Sequence, residues 1–569
     1  MAKFLLGPGG RLMLAGGKPL SAVVAAGSSP SGTLTIPLTP WYILSTASTP
    51  RFNLHTSATS NDTTGNVPII FTYTGSAPAS VQARIIDAAG AAVSGFDWTD
   101  ITSGVQTDSA GTCLAYLNGV PAGIGYKRQI RAGTSTTVTS TDSMPFNIGW
   151  MMLPWGQSNN RGTLEGNIGI SGTIPPGSTT EGTFYTSNGT GAYFTWNGFA
   201  GNSSNNSVGD FYLHRGGAMA LLRHLGNALQ ARFGRKVGIA LNPWAQNGTP
   251  MTGFMAPDGV IAKLDAAGAA APGIGFSSPR NVIAAGDYRI VSWHQGESEP
   301  SGVTRASRLA DLIKFCQAHI RQVAKFGRQP SQLTFLFAIM GLGYAHPHMQ
   351  YLRGAVMDLV DYGKTQGWDV RVGWNCIDLD PAPDSIHFAG DDLKRSLYRL
   401  AQSAMSVANT SGIPFGAEGP SFDRSGATTV GGVKVLGGLA TRAGDDVTIT
   451  IMHDGNANRT LQAKNPANPI TGWYANTAAD FSGTELVVSS VQIVDATHVK
   501  MTVKDSGGNA APATFYIMHC GHKALSDISA HPNVSNLIYD NFAYPTGADP
   551  LEQFTGLPLW PTPDPIKVG

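Results

Sequence analysis

Four short segments of this 569-residue chain carry side chains able to do nucleophilic or acid–base chemistry. Gly156-Gln157-Ser158-Asn159 sets a hydroxyl just behind a glycine that can make a tight turn, so the Ser158 oxygen can act as a nucleophile while its own N–H faces a developing oxyanion. Trp293-His294-Gln295-Gly296-Glu297 supplies an amide, Gln295, that can donate to such an oxyanion, and a carboxylate, Glu297, that can orient loops or pair with a base. Asp384-Ser385-Ile386-His387 places a carboxylate three residues before an imidazole. On a loop entering a helix, that spacing lets Asp384 hold His387 while His387 reaches a serine on another strand. Each segment alone has a plain structural explanation, since most serines in Gly-rich turns are turn formers. Their order, with the nucleophile first and the acid and base late and adjacent, makes the set informative.

Such chemistry requires elements that aim the side chains. Phe146 to Pro154 is an apolar run suited to a strand buried on both faces, and Val237 to Leu241, Tyr288 to Trp293, Leu333 to Ile339 and Val370 to Trp374 follow suit. Between them, Leu221, Leu222, Leu225 and Leu229 share one helical face, and Leu309, Leu312, Ile313, Cys316 and Ile320 share another. This alternation predicts a parallel sheet flanked by helices. The motifs fall just after its strands, at the carboxyl ends where open parallel sheets bind ligands. Ile168 to Asp210, rich in Gly, Ser, Thr and Asn, is too long for an ordinary connection and is expected to be a functional loop over the site.

Together, Gly156-Gln157-Ser158-Asn159, Trp293-x-Gln295-Gly296-Glu297 and Asp384-x-x-His387 resemble the motifs of the SGNH hydrolases, particularly the branch of sialate O-acetylesterases and related carbohydrate acetylesterases. A fourth match, Asn247-Gly248-Thr249-Pro250, is similar to that family's Gly-Gly-Thr or Gly-Gly-Ser loop, with Asn247 where the family often has its first glycine. The resemblance covers roughly residues 146–410. It implies a three-layer α/β/α, flavodoxin-like domain in which Ser158 is the nucleophile, His387 the base and Asp384 its orienting acid. The oxyanion hole would be the N–H groups of Ser158 and Gly248 and the side chain of Gln295, with Glu297 and Asn159 in support. Glu297 stays open as the alternative acid for His387.

The implied activity is that of a serine esterase removing O-acetyl groups from a carbohydrate, through an acyl-enzyme and without metal or cofactor. More loosely, the arrangement is similar to esterases carried on bacteriophage tails that deacetylate host surface polysaccharide, which implies a virion location; a secreted bacterial protein is the alternative. The rival function is a non-catalytic polysaccharide-binding or structural tail protein that keeps the fold.

Composition bounds the rest. Lys and Arg number 38 against 37 Asp and Glu, a formal net charge of +1, so there is no electrostatic footprint for nucleic acid or an anionic membrane. No apolar run approaches the ~18 residues that would cross a bilayer. With 70 Gly, 35 Pro and only 13% charged residues, the chain favours β-domains and ordered loops over helical bundles. No phosphate loop or dinucleotide fingerprint follows any strand. Cys113, Cys316, Cys376 and Cys520 lie far apart, which predicts buried thiols rather than a zinc knuckle or disulfide framework. Trp155, Trp244 and Trp293 adjoin the motifs and could stack on a sugar, though strand-end aromatics more often belong to a core. His346-Pro347-His348 reads as a turn at a helix start.

Residues 1–40 read as an attachment segment for other virion tail proteins; Gly7 to Gly10 interrupt its apolar start, so no signal peptide is expected. Residues 41–145 read as a β-sandwich, 146–410 as the esterase domain, 411–545 as a second β-domain expected to select polymer, and 546–569 as a Pro-rich extended tail. A homo-oligomer stays open.

Overall fold

The computed structural model describes, apart from short gaps, residues 64–165, 178–185, 191–197, 217–265, 288–408, 419–521, 536–541 and 556–569, together with 4–6, 12–14, 36 and 51–53. The gaps include 342–347 and 380–385.

The first strands are Thr64–Phe71 (β1), Val81–Ile86 (β2), Cys113–Pro121 (β3) and Gly123–Ala132 (β4). β1 pairs with β3 and β2 with β4, both antiparallel. β4 also pairs antiparallel with Phe146–Gly156 (β5), Tyr126 lying opposite Phe146. The change of sequence pattern near 145 is therefore no break in the sheet, and Val67, Ile85 and Leu117 share a core with Ile148 and Trp150 of β5.

β5 is followed by helix Ser158–Glu165 (α1), strands Ser178–Tyr185 (β6) and Gly191–Asn197 (β7), and helix Gly217–Phe233 (α2). Gly238–Leu241 (β8) and Trp244–Gln246 (β9) come next, then helix Met251–Met255 (α3) and strand Ile290–His294 (β10). Helices Arg305–Ala324 (α4), His348–Gln366 (α5) and Asp391–Ala408 (α6) alternate with strands Thr334–Ile339 (β11) and Asp369–Asn375 (β12). In space the strands run β7-β6-β8-β5-β10-β11-β12, parallel except for β7.

Successive side chains of a strand point to opposite faces, and the apolar runs are filled accordingly. Ile148, Trp150 and Met152 of β5 join Leu221, Leu225 and Leu229 of α2 and Leu397 and Ala401 of α6 in one core. Met151, Leu153 and Trp155 join Leu312, Phe315 and Cys316 of α4 and Val356 and Leu359 of α5 in the other. Both faces of the sheet are covered by helices, and of these the sequence had marked the apolar stripes of α2 and α4.

Two segments differ from the expectation. The stretch 168–210 is not all loop: β6 and β7 form a hairpin that extends the sheet through β8, and the remainder lies outside the described residues. Threonines with Phe184, Tyr185, Tyr193, Phe194 and Trp196 favour extended backbone, a signal that the surrounding Gly and Ser conceal. The second is the tail. Val433–Leu436 (β13), Phe515–His519 (β14), Ile538–Asp540 (β15) and Ile566–Val568 (β16) belong to the C-terminal region, and β16 inserts between β13 and β14 within a sheet of nine strands among the described residues. Proline removes backbone donors only up to Pro565, so Ile566 to Val568 are free to pair.

At the junction of this region with α4 and α5, Asp358 accepts from Arg305 at 2.6 Å and from Arg424 and Lys434 at 3.3 Å, while Asp564 accepts from Arg305 at 2.6 Å.

Within the main sheet, β5 and β8 approach so closely at Gly149 that a Cβ there would collide with the Gly238 carbonyl. Gly149→Ala is expected to lower unfolding free energy by about 1–3 kcal/mol, the usual range for overpacking. An unchanged urea midpoint would show that the strands can separate without loss.

Candidate active site

The register of three parallel strands brings the motifs to one level. Trp155 lies opposite both Trp244 and Trp293, and Gly156 opposite both Ala245 and His294. Ser158, Gly248 and Gln295 therefore leave the sheet from neighbouring strand ends, at its carboxyl edge. The chain turns from β5 toward β8 on one side and then returns to β10 on the other, so this edge is also where the strand order reverses.

Glycine is required at 156 because a Cβ would strike the His294 carbonyl oxygen, which accepts the Gln157 N–H at 3.0 Å. Ser158 then opens α1 and is half-buried. Helix geometry leaves first-turn N–H groups without intrahelical acceptors and puts the positive end of the dipole at the serine. Gly248 is exposed and has φ of 63°, a left-handed conformation suited to glycine. The preceding Asn247 is not among the positive-φ residues, so a side chain there is compatible with the turn.

The residue after the serine joins this edge to the distant histidine. Asn159 is buried, and its Nδ2 donates to Glu297 Oε1 at 2.9 Å and to the Ile386 carbonyl at 3.1 Å, while its Oδ1 accepts the Phe388 N–H at 3.0 Å. One amide thus brackets His387 from both sides of its backbone. His387 is half-buried; Asp384 lies outside the described residues.

Glu297 is fully buried, and its Oε1 also pairs with His294 Nε2 at 2.8 Å. Burial alone would raise its carboxyl, but the His294 charge and the hydrogen bonds from His294 and Asn159 outweigh that and hold it below its ordinary value. With Oε1 on His294 and Asn159 and Oε2 without a hydrogen bond, this carboxylate makes none to His387. Its Oε1 holds Asn159 and His294 together.

Gln295 requires a correction. Expected to donate to an oxyanion, its buried Nε2 instead donates to Glu299 Oε1 at 2.6 Å and to the Thr249 carbonyl at 3.3 Å. A second carboxylate competes for the amide: Glu299 Oε1 also accepts from Met251 N–H at 2.7 Å and Arg308 Nη1 at 2.9 Å, and Arg308 Nη2 holds the Gln295 carbonyl at 2.9 Å. This fully buried group ties the Gly248 turn to the β10 turn. Sequence reasoning missed Glu299 and Arg308, although Arg308 stands four residues before Leu312 on the buried stripe of α4, an anomalous place for an unpaired cation.

Trp155 and Trp293 are 0% and 2% exposed and pack against Phe315, so they are core and not sugar platforms. The side chain of Trp244 and residues 346–347 lie outside the described residues. Among the described residues no group of three His, Cys, Asp or Glu is placed to hold a metal ion, and all four thiols are buried.

No protein-family model matches the sequence, and no curated protein matches it. Solved structures do. XAC1771, a carbohydrate acetylesterase from Xanthomonas citri, is 13% identical over 91% of this chain and 97% of that one, with a TM-score of 0.50. NanS is 13% identical over 45% of this chain and 96% of its own, with a TM-score of 0.27. A family two carbohydrate esterase from Clostridium thermocellum is 10% identical over 65% and 96%, with a TM-score of 0.25. The likeness to the Xanthomonas protein is one of fold and spans both β-rich regions as well as the parallel sheet.

The Glu297 shift has a pH consequence. A carboxyl whose folded value lies below its ordinary 4.5 contributes stability that is present above that pH and is lost as pH falls through the folded value. Urea midpoints measured from about pH 6 to pH 3 should therefore fall less steeply for Glu297→Gln than for the wild type; parallel curves would mean that Glu297 is not held ionised by its partners.

Proposed function

We propose that this chain is a serine esterase with a three-layer SGNH-hydrolase core, and that it removes O-acetyl groups from a carbohydrate. The observation that carries the reading is the Asn159 bracket, which holds the backbone on both sides of His387 next to Ser158, at the sheet edge where the Gly248 turn also emerges. The fold it shares with the Xanthomonas acetylesterase supports the substrate class.

In this mechanism Ser158 Oγ attacks the acetyl carbonyl carbon and His387 takes the hydroxyl proton. The new C–O bond pushes charge onto the carbonyl oxygen, which the N–H groups of Ser158 and Gly248 receive. Removing one such preset donor typically raises the barrier by about 2.7–4 kcal/mol. As the tetrahedral centre collapses, the bond to the sugar oxygen breaks and His387 returns its proton to that oxygen. Water then attacks the acetyl-serine, again losing its proton to His387, and acetate departs as Ser158 regains a proton. Gln295 supports the hole by fixing the Thr249 carbonyl, and Asp384 orients His387. The proposed setting is a bacterial surface polysaccharide, with the protein carried on a phage tail by residues 1–40; immunodetection in purified particles tests that placement.

Ser158→Ala is expected to keep the wild-type fold by circular dichroism while hydrolysis of a chromogenic acetate falls to the residue left by binding and the oxyanion hole. Turnover at the wild-type rate would remove Ser158 from the mechanism. Asp384→Asn should lower kcat by about two to four orders of magnitude, through the wrong imidazole tautomer and a less stabilised imidazolium, and Glu297→Gln by less. The reverse ranking in folded proteins would make Glu297 the catalytic acid. Release of acetate from acetylated bacterial polysaccharides, measured directly, tests the substrate class.

A further inference from the structure

Two described stretches flank residues 380–385: the one around His387, which Asn159 brackets, and the one that follows β12. The second is anchored at Asp378, nine residues before His387 and 1% exposed. Arg399 of α6 grips that carboxylate through Nη1 to Oδ1 at 2.7 Å and Nη2 to Oδ2 at 2.8 Å, and the same Nη1 holds the Asn375 carbonyl at 2.5 Å. The third donor comes from far along the chain: Tyr539 of β15 gives its hydroxyl proton to Asp378 Oδ2 at 2.8 Å.

Other contacts from the C-terminal region converge on the same place. Asn375 Nδ2 reaches the carbonyls of Pro558 and Leu559 at 3.4 Å. Arg353 donates to the Cys520 carbonyl at 2.9 Å while its other nitrogens hold the carbonyls of Met340 at 3.0 Å and Gly341 at 2.9 Å. Gly341 is the wedge between the two stretches, since a Cβ there would meet the Cys376 carbonyl oxygen at 2.6 Å and the Phe388 ring at 3.0 Å. Cys376 and Phe388 thus meet at Gly341, Asn375 and Asp378 share Arg399, and the C-terminal region is hydrogen-bonded to both of the latter.

We propose that Tyr539, which the C-terminal β-region supplies, is a positioning residue for His387. The proposal rests on the reading of Ser158 and His387 as nucleophile and base. Asp378 is a buried acceptor that must stay ionised to hold Arg399; burial would raise its carboxyl, but the Arg399 charge and the hydrogen bonds from Arg399 and Tyr539 bring it down to about 2. Burial pushes the Tyr539 hydroxyl up, so it remains a donor. Without that donor, Oδ2 keeps a single hydrogen bond, from Arg399 Nη2, and the anchor at Asp378 loosens. A loosened anchor misplaces the base without altering the groups that bind substrate, so kcat is affected and KM is not.

The experiment compares Tyr539→Phe, which keeps the buried ring, with Val499→Ala, which hollows the fully buried core of the nine-stranded sheet. For Tyr539→Phe on a chromogenic acetate, kcat should fall about tenfold, equivalent to about 1.36 kcal/mol of barrier, with KM within about twofold. Modification of Ser158 by a fluorophosphonate, in which the serine oxygen binds phosphorus and fluoride leaves, should slow in parallel. Val499→Ala should lower the melting temperature and leave kcat in place. A Tyr539→Phe protein that behaves like Val499→Ala, less stable but with wild-type kcat, overturns the proposal. Should Tyr539→Phe fail to fold, Asp378→Asn must show the same loss of kcat, and wild-type kcat in that variant overturns it equally. A wild-type chain that neither hydrolyses the acetate nor takes up the fluorophosphonate overturns the esterase reading and this proposal with it, an outcome distinct from an active enzyme indifferent to Tyr539.

Discussion

The arrangement of this site depends on a single side-chain amide being fully satisfied. Asn159 has two donors and an acceptor engaged, and its partners are a carboxylate on the β10 turn and two backbone groups on either side of His387. A buried amide left with any of these unmade would lose about 1–3 kcal/mol, so the 386–388 segment has a strong reason to return to the sheet edge at this place. Glu297 works through that amide, and it is kept ionised by the same bonds that it receives.

Around the amide the chemistry is crowded and incompletely paired. Among the described residues, Gln157 Nε2, His294 Nδ1, Gln295 Oε1, Glu297 Oε2, Glu299 Oε2 and Arg308 Nε are buried without a hydrogen-bond partner. His294 ends β10, and the other five belong to the turns after β5 and β10 or to the α4 residue that braces them. Burying polar groups unmet is unfavourable. The two apolar cores on either face of the sheet offset it, filled by strand residues that are almost entirely excluded from solvent.

The flanking β-regions are joined to that sheet by different means. On the N-terminal side β4 continues the hydrogen bonding of β5 and shares its core. On the C-terminal side, Leu537 and Tyr539 join one core of the sheet and Leu557 the other, and buried polar bonds at Asp378, Arg353 and Asn375 and the cluster of Arg305, Asp358, Arg424, Lys434 and Asp564 add to that contact. Polar contacts of this kind are directional, so they fix how the region meets the segment before His387 more sharply than apolar contact alone.

Much of the frame was legible from the residue order, because burial on both faces of a parallel strand leaves a continuous apolar run and burial on one face of a helix leaves a stripe at steps of three and four. Leu221, Leu222, Leu225 and Leu229 are each fully buried where that stripe put them. Residue type and chain order likewise marked Ser158, Asp384 and His387 as candidates. What local pattern could not reveal was which polar group meets which. Asn159 finds its carbonyl partner 227 residues away and Tyr539 its carboxylate 161 residues away, and Gln295 donates to Glu299 and to the Thr249 carbonyl. A hydrogen bond is decided by a few tenths of an ångström and an angle, and those are set only when strands and helices distant in sequence have packed together.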